Sequence, residues 1–470
     1  MIKIYPKIEP KFLLMYSPQT FDKRFGAIKP EGSLGLIYLA SALRNKDFEV
    51  SILDASVGND DYTLEETFFN EKIQPNGLVR VGMSIKDILS EVVDYDVIGI
   101  SAIFTAQTRM VEEVVTEIKK EYPDKIIILG GISAKSQMSL FFNAGADLIC
   151  LSEAEETIVE IGELLRKGER DFSKIDGVAG KEGFVNPRLK VIQNLDELPI
   201  PAWDMLPFKK YWEIARPHGG GLKEGNVAYA SAMFSRGCPF KCAYCHISQE
   251  KNNPSIFGDI GNLRTHSIER VVKEIDYLVS LKVKRLFFED DSLLAHKDRV
   301  KSIFKKVKNK NLSIANVNGV NLVHFFNTQD RSGWVDGKFD IDTEYLEILK
   351  NSGFDQIVFP VESGSKRILK LYATNKVNLD RMNLFLLMKT MSKMKIQAPV
   401  NMMIGFPDET EKEINMSIDF AKKLMDHGAP YITFFIPIPF PGSSLYNIAI
   451  NGDYLDKNFD NLKLFFPNAE

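Results

Sequence analysis

The order in which apolar and amphipathic segments follow one another is the feature that most restricts the fold of this chain. In residues 1–170, short runs that are apolar almost throughout alternate with segments whose apolar residues recur at helical spacing. Such runs are typical of a parallel sheet that helices cover on both faces. The alternation predicts an α/β fold that begins with a doubly wound, Rossmann-like domain. The predicted strands are 12–16, 50–54, 97–103, 126–130 and 148–151, and the predicted helices are 34–43, 111–120, 136–142 and 156–166.

A second series of strand–helix units follows a segment of different composition. Residues 171–225 are interrupted by prolines and end near a glycine run, and we interpret them as a connecting segment. Six βα units in 226–447 predict a partial (β/α)6 barrel of the TIM type, whose chemistry lies on the loops after the strands. Residues 448–470 then form a short C-terminal tail, and 322–339 an extra loop or lid. The predicted barrel strands are 227–234, 285–289, 312–318, 356–362, 400–405 and 431–437, and the clearest helix is 267–281.

The charge of the chain argues against two classes of partner. Its 470 residues carry 59 Lys and Arg against 63 Asp and Glu, a formal net charge of −4. A basic footprint for nucleic acid or for an anionic membrane is therefore missing. The N-terminus lacks the pattern of a secretory signal, and no apolar run reaches transmembrane length. We expect a cytoplasmic protein that binds neither nucleic acid nor membrane.

Three of the four cysteines are concentrated in one short loop. Cys238, Cys242 and Cys245 have the spacing C-x3-C-x2-C after the first predicted barrel strand. Three thiolates on one loop can hold three irons of a cubane cluster and leave the fourth iron open. Structural zinc prefers four closed ligands. His246 could supply the fourth, although adjacent ligands would strain a tetrahedral site. The fourth cysteine, Cys150, lies in an apolar run and is expected to be a small buried residue.

This cysteine loop, with an aromatic residue before its third cysteine, resembles that of the radical SAM enzymes. The resemblance implies that the three cysteines bind a [4Fe–4S] cluster whose open iron holds S-adenosylmethionine (SAM). An electron from the reduced cluster would then cleave SAM to a 5′-deoxyadenosyl radical. Three later strand ends resemble further motifs of the family, namely an acidic strand end, an ESGS segment and a glycine motif. The SAM-binding residues that the resemblance implies are Tyr244, Asp290, Asp291, Glu362, Ser363 and Gly405.

Each of these later matches also has a purely structural interpretation. The acidic residues could form a cluster at a helix N-terminus, where the helix dipole favours negative charge. Glu362 could cap a helix or pair with a lysine, and Gly405 could be required by the geometry of a turn. Their order along the chain, each at a strand end after the cysteine loop, favours a function for the aspartate pair and for Glu362. Gly405 would let the cofactor approach the backbone closely.

Predicted strands of the N-terminal half lead into short segments of small and polar residues, among them Ile98-Gly99-Ile100-Ser101, Gly130-Gly131-Ile132-Ser133-Ala134 and Ser152-Glu153-Ala154-Glu155. With these segments, the N-terminal half resembles the cobalamin-binding domain that precedes one large subgroup of radical SAM enzymes. One departure concerns the Asp-x-His motif of other cobalamin domains, because Asp54-Ala55-Ser56 has a serine where histidine would bind cobalt. A cobalt without a histidine ligand is therefore expected. An ordinary flavodoxin-like domain with plain glycine turns is the alternative, since doubly wound domains bind many ligands. The cobalamin-binding residues that the resemblance implies are Ser56, Ser101, Gly130, Gly131, Ser133 and Glu153.

Together the two resemblances imply a cobalamin-dependent radical SAM methyltransferase of class B. Its cofactors would be a [4Fe–4S] cluster, SAM and cobalamin, and its partners a small-molecule substrate and an electron donor such as flavodoxin or ferredoxin. The expected reaction methylates an unactivated carbon, or less often phosphorus. Three alternatives stay open: a cobalamin-dependent radical cyclase or rearranging enzyme without methyl transfer, a radical SAM enzyme without cobalamin, and a non-catalytic metal-binding regulator.

Overall fold

The structure is a computed structural model that describes residues 8–23, 30, 32–217, 228–329, 332 and 336–455. These residues divide into two compact units, one within 8–216 together with 252–260, the other within 217–251 and 261–455. The strands are β1 (Phe12–Tyr16), β2 (Gln19–Phe21), β3 (Val50–Asp54), β4 (Lys72–Ile73), β5 (Val79–Val81), β6 (Val97–Ser101), β7 (Ile126–Gly130), β8 (Leu148–Cys150), β9 (Val178–Gly180), β10 (Val185–Asn186), β11 (Tyr229–Ala232), β12 (Ser235–Arg236), β13 (Arg264–Thr265), β14 (Arg285–Phe288), β15 (Ser313–Asn316), β16 (Phe326–Asn327), β17 (Asp340–Ile341), β18 (Phe354–Ile357), β19 (Phe359–Glu362), β20 (Val400–Met403) and β21 (Ile432–Phe435). The α-helices are α1 (Leu34–Arg44), α2 (Ile85–Glu91), α3 (Thr108–Glu121), α4 (Ile132–Ser136), α5 (Met138–Ala144), α6 (Glu155–Arg166), α7 (Phe208–Ile214), α8 (Ile247–Asn252), α9 (Pro254–Phe257), α10 (Ile268–Ser280), α11 (Lys297–Val307), α12 (Thr343–Asn351), α13 (Lys366–Tyr372), α14 (Leu384–Lys393), α15 (Glu411–Asp426) and α16 (Ser444–Asn451).

The first unit is built on a seven-stranded sheet with the order β10-β9-β8-β7-β6-β1-β3. The five strands from β3 to β8 in this order are parallel, which confirms the doubly wound fold. At the other edge, β9 and β10 are antiparallel. These two strands lie in residues 171–225, the predicted connecting segment, so the compact unit extends past residue 170.

Helices on both faces explain why these strands are apolar almost throughout. All five residues of β6 are buried, and α3 turns Val111, Val114 and Val115 toward the same core. The predicted helix 136–142 differs from the structure, which has α4 and α5 in its place. Gln137 leaves helical geometry with φ −131° and ψ 39°, and the chain therefore bends between them.

Residues 252–260 belong to the first unit although they follow the cysteine loop in sequence. Phe257 and Ile260 pack with Leu151, Ala179 and Val191 in a buried apolar cluster. The Phe257 carbonyl also accepts a hydrogen bond from the Ser152 hydroxyl at 3.1 Å. This excursion is therefore held by both packing and hydrogen bonding.

The second unit contains the six parallel barrel strands that the sequence predicts. One sheet has the order β11-β14-β15-β18 and the other β19-β20-β21. The fourth strand, predicted as 356–362, is split into β18 and β19 at Val358. Backbone hydrogen bonds from Ile357 to Gln397 and from Phe359 to Pro399 carry the pairing across the break. Among the described residues, no helix is long and apolar enough to cross a membrane.

The segment 322–339 has some regular structure at its ends. A single 3-10 turn, Leu322–Phe325, leads into β16, which pairs with β17 in a two-stranded sheet. Trp334 lies outside the described residues, as does His218 in the glycine run.

Candidate functional site

The cysteine loop begins where β12 pairs antiparallel with β13. Gly237 has φ +78°, and a Cβ there would lie 2.3 Å from the Asn262 carbonyl oxygen, so only glycine fits without a shift. The next residue, Cys238, donates its backbone N–H to the Gly261 carbonyl at 3.2 Å. The loop is therefore fixed by backbone contacts at its first cysteine.

All three cysteines line one cavity of about 320 Å³ at the carboxyl ends of the barrel strands. This is the end at which barrels of this kind carry their chemistry. The cavity wall is mostly apolar, with a few convergent polar groups, as ligand sites usually are. The polar side chains at its wall, besides the cysteines, are Tyr244, Asp291, Asn318, Asn321, Glu362, Lys376 and Asn401.

The chemistry of the three thiols fits an iron–sulfur cluster better than a single metal ion. No group of three His, Cys, Asp or Glu side chains in the described part of the chain is close enough to hold one ion. Thiolates around a cubane each bind a different iron and stand farther apart. Burial raises the pKa of Cys238, and that of Cys245 to about 12, so a metal must replace the proton on binding. His246 is not part of the cavity wall, which counts against a closed zinc site.

Glu362 is the centre of a buried polar group beside the cysteines. Its Oε1 accepts hydrogen bonds from the Tyr244 hydroxyl at 2.8 Å and from Lys376 Nζ at 2.6 Å. Glu362 has φ +69°, a conformation that is uncommon outside glycine and gathers at functional sites. Burial acts to lower the pKa of Lys376, but Glu362 and Cys242 outweigh it and the pKa is raised. The ammonium is therefore held in its charged form.

The two aspartates that follow β14, Asp290 and Asp291, differ in their surroundings. Asp290 is fully buried, and its Oδ1 accepts from the Phe234 N–H at 2.9 Å and from the Ser235 hydroxyl at 2.5 Å. Burial raises its pKa to about 7. Asp291 instead lines the cavity, and burial raises its pKa as well. Only Asp291 of the pair is therefore at the described cavity wall.

The other two predicted SAM contacts also lie away from the cavity wall. Ser363 is fully buried, with its hydroxyl 3.1 Å from that of Ser417. Gly405 has φ +93° and donates its N–H to Glu409 Oε2 at 2.7 Å. Thus Tyr244, Asp291 and Glu362 are at the described wall of the cavity, and Asp290, Ser363 and Gly405 support the loops behind it.

Sequence reasoning missed Lys376 and Asn401. Lys376 lies in a turn 14 residues after its partner Glu362, and no periodic pattern points from one to the other. Asn401 is a polar residue in the apolar strand β20. That interruption of an apolar run was a signal that could have identified it.

In the first unit, the carboxyl ends of the parallel strands hold the predicted cobalamin residues. Gly130 ends β7, and a Cβ built there would meet nothing within 4 Å, so the strand end is open to a large ligand. Gly131 has φ +104°, and its Cβ would lie 2.6 Å from the Ala102 oxygen. Ser101 ends β6 in register with Gly130. Glu153 lies half-buried in the loop before α6. An open glycine strand end of this kind fits a cobalamin tail.

The remaining two serines make hydrogen bonds within the protein. Ser133 is buried, with its hydroxyl 2.7 Å from that of Thr108. Ser56 is fully buried and donates its hydroxyl to Asp54 Oδ1 at 2.6 Å, while the Tyr211 hydroxyl donates to Asp54 Oδ2 at 2.7 Å. Asp54, Ser56 and Tyr211 therefore form a closed polar cluster.

Comparisons with known proteins agree with both halves of this description. Residues 30–162 match the model of the B12 binding domain, and residues 233–421 match that of the Radical SAM superfamily. An uncharacterized methyltransferase of Pyrococcus horikoshii is 30% identical over 432 residues, which cover 90% of this chain and 79% of the relative. The cytidylyl-2-hydroxyethylphosphonate methyltransferase of Streptomyces wedmorensis is 25% identical over 464 residues, 90% of this chain and 78% of the relative.

A solved structure shares the fold of this chain. The radical SAM methyltransferase TsrM of Kitasatospora setae, solved with cobalamin and a [4Fe–4S] cluster, matches with a TM-score of 0.63 at 15% identity. The match covers 93% of this chain and 77% of TsrM. The two family matches confirm the expected cofactors: a [4Fe–4S] cluster and SAM for the barrel, and cobalamin for the first domain. The chain belongs to the cobalamin-dependent radical SAM methyltransferases.

Proposed function

We propose that this enzyme transfers a methyl group to an unactivated carbon of a small-molecule substrate. The observation that carries the proposal is that the three cysteines, Glu362 and Asp291 line the same cavity at the barrel strand ends. When bound, the cluster supplies the electron that cleaves SAM, and cobalamin supplies a methyl group. The Streptomyces wedmorensis relative is named for a nucleotide-linked phosphonate, which supports a small molecule as the acceptor.

The chain's own residues hold SAM and exclude water in this proposal. Glu362 offers its buried carboxylate to the amino group of SAM, and Tyr244 borders the adenine. Asp291 lines the cavity near the cysteine loop and is positioned to bind a second polar group. The apolar part of the wall, including Met403 and Phe435, keeps water away from the reacting carbon. A flavodoxin or ferredoxin is proposed as the electron donor.

The test uses the full chain, purified without oxygen, with its cluster reconstituted and cobalamin supplied. SAM with a deuterated methyl group is incubated with pools of small molecules, and products are analysed by mass spectrometry. A product that carries the labelled methyl on carbon supports the proposal, and label on phosphorus changes the acceptor atom. A product that has only lost hydrogens would contradict methyl transfer and favour a radical cyclase. Cys242→Ala serves as the inactive control.

A further inference from the structure

The turn that follows α13 holds two consecutive residues in a conformation that their side chains disfavour. Thr374 has φ 53° and Asn375 has φ 52°, in the left-handed region that glycine adopts freely. A β-branched residue such as threonine is rarely found there. Strain of this kind persists only where surrounding contacts impose it, and it gathers at functional sites. The contacts of this turn therefore indicate what it is for.

The start of the turn is fixed against the cysteine loop. The Tyr372 carbonyl accepts the Ala243 N–H at 2.8 Å, and the Tyr372 ring stacks on Phe406 with centroids 4.5 Å apart. Two residues later, the Thr374 hydroxyl is 3.9 Å from Cys242 Sγ and donates to it. The left-handed conformation thus directs a hydroxyl to a cluster ligand.

The end of the turn places a positive charge among the same ligands. Lys376 Nζ is 2.6 Å from Glu362 Oε1 and 5.8 Å from the centroid of the Tyr244 ring. Only 12% of the Lys376 side chain is exposed. Tyr244 lies in the loop between Cys242 and Cys245. The ammonium therefore faces the cysteine loop with little solvent to screen it.

We propose that the turn of residues 372–376 sets the reduction potential of the [4Fe–4S] cluster. The reduction potential of such a cluster depends on the net charge around it and on hydrogen bonds to its sulfurs. Lys376 neutralises Glu362, which would otherwise place a carboxylate beside three thiolates and oppose the addition of an electron. Thr374 withdraws electron density from the Cys242 sulfur. Both residues make the cluster easier to reduce, and neither binds iron.

The step concerned is the one-electron reduction of the oxidised cluster, [4Fe–4S]2+ to [4Fe–4S]+. A donor of the flavodoxin or ferredoxin class loses that electron. Lys376 and Thr374 are positioning residues in this step. The inference rests on the cluster and is independent of which molecule accepts the methyl group.

The charge of Lys376 is tested by redox titration of the reconstituted full chain without SAM, followed by electron paramagnetic resonance of the reduced cluster. We expect Lys376→Met to shift the potential to more negative values and Lys376→Arg to stay near the wild type. The double variant Lys376→Met/Glu362→Gln removes both charges and should recover most of the shift. Lys366→Met is the matched control, because Lys366 is exposed and pairs with Asp380 at the surface. An unchanged potential in Lys376→Met, with full iron content, would overturn the role of the charge.

The Thr374 series tests the hydrogen bond and leaves the ion pair intact. Thr374→Gly relieves the backbone strain but removes the hydroxyl, whereas Thr374→Ser keeps the hydroxyl. If the turn only supported the fold, Thr374→Gly would leave the potential unchanged. We expect it to make the potential more negative, by less than Lys376→Met does, while Thr374→Ser stays near the wild type. Should Lys376→Met assemble no cluster, this series decides: an unshifted potential in Thr374→Gly then rejects the proposal. A wild-type chain that assembles no cluster would instead refute the proposed function.

Discussion

The buried carboxylates at the strand ends of the two units differ in how completely the protein hydrogen-bonds them. In the first unit, Asp54 receives hydrogen bonds on both carboxylate oxygens, from Ser56 and from Tyr211. In the barrel, Asp290 Oδ2 and Glu289 Oε1 are buried and have no hydrogen-bond partner among the described residues. Buried polar atoms without partners are costly. With respect to these carboxylates, we therefore call the barrel end incomplete and the Asp54 end of the first sheet satisfied.

The largest effect is expected where a cluster ligand is removed from the incomplete end. Cys242→Ala leaves two thiolates for a cluster that needs three, so we expect loss of SAM cleavage, measured as 5′-deoxyadenosine, and of most of the iron. Cobalamin binding should be unaffected. The matched control is Cys150→Ala, because Cys150 is a buried thiol of the first unit that should tolerate the change. Residual 5′-deoxyadenosine in Cys242→Ala would refute the cluster assignment.

The carboxylate behind the cavity predicts a pH dependence of stability. Burial raises the pKa of Asp290 from 3.8 to about 7, so the folded state favours the protonated form. The resulting stabilisation is complete below pH 3.8, declines as the pH rises and is lost above about 7. The linkage energy is on the order of 4 kcal/mol, from about 1.4 kcal/mol for each pKa unit.

Asp290→Asn mimics the neutral carboxyl and tests this dependence. Between pH 4 and 7, the urea midpoint of the wild type should fall relative to that of Asp290→Asn, both measured on ligand-free protein. The exposed Asp419→Asn is the control. Parallel pH profiles for the wild type and Asp290→Asn would show that Asp290 is already ionised in the folded protein.

At the cavity wall, a neutral replacement for the central carboxylate should weaken SAM binding. Glu362→Gln loses a charge-assisted hydrogen bond, worth about 1.5–3 kcal/mol, and we expect SAM affinity to fall about 10–100-fold. Binding is measured by equilibrium dialysis on reconstituted enzyme of known iron content. The exposed Glu344→Gln should bind SAM normally. Wild-type affinity in Glu362→Gln would assign the amino group of SAM to another residue, for which Asp291, the other carboxylate at the described wall, is the candidate.

The smallest effect of a substitution is expected at the satisfied end, beside Asp54. Tyr211→Phe removes the donor to Asp54 Oδ2, which should lower the free energy of unfolding by on the order of 1 kcal/mol. The cost is modest because burial raises the pKa of Asp54, and the carboxyl can bind a proton there. Cobalamin content after reconstitution should not change, and Tyr122→Phe is the control. If cobalamin content fell in Tyr211→Phe, the Asp54 cluster would take part in binding and the contrast between the two ends would weaken.

The parts of this structure that sequence could predict are those marked by spacing or periodicity. The cysteine loop and both strand–helix series were predicted because three thiols at fixed intervals and repeated apolar runs are local signals. Sequence could not separate Asp290 from Asp291, since after a strand ends the alternation of sides no longer holds. Lys376 was missed because its site depends on a turn with two left-handed residues. β9 and β10 were missed because each is only two or three residues long.

The excursion of residues 252–260 limits how the two domains can be exchanged. Any chimera that joins this barrel to a foreign cobalamin domain would bring Phe257 and Ile260, which need the pocket formed by Leu151, Ala179 and Val191. A working exchange therefore needs crossover points at about residues 217, 251 and 261. The two units are therefore defined by contacts in space, and one cut in the sequence cannot separate them.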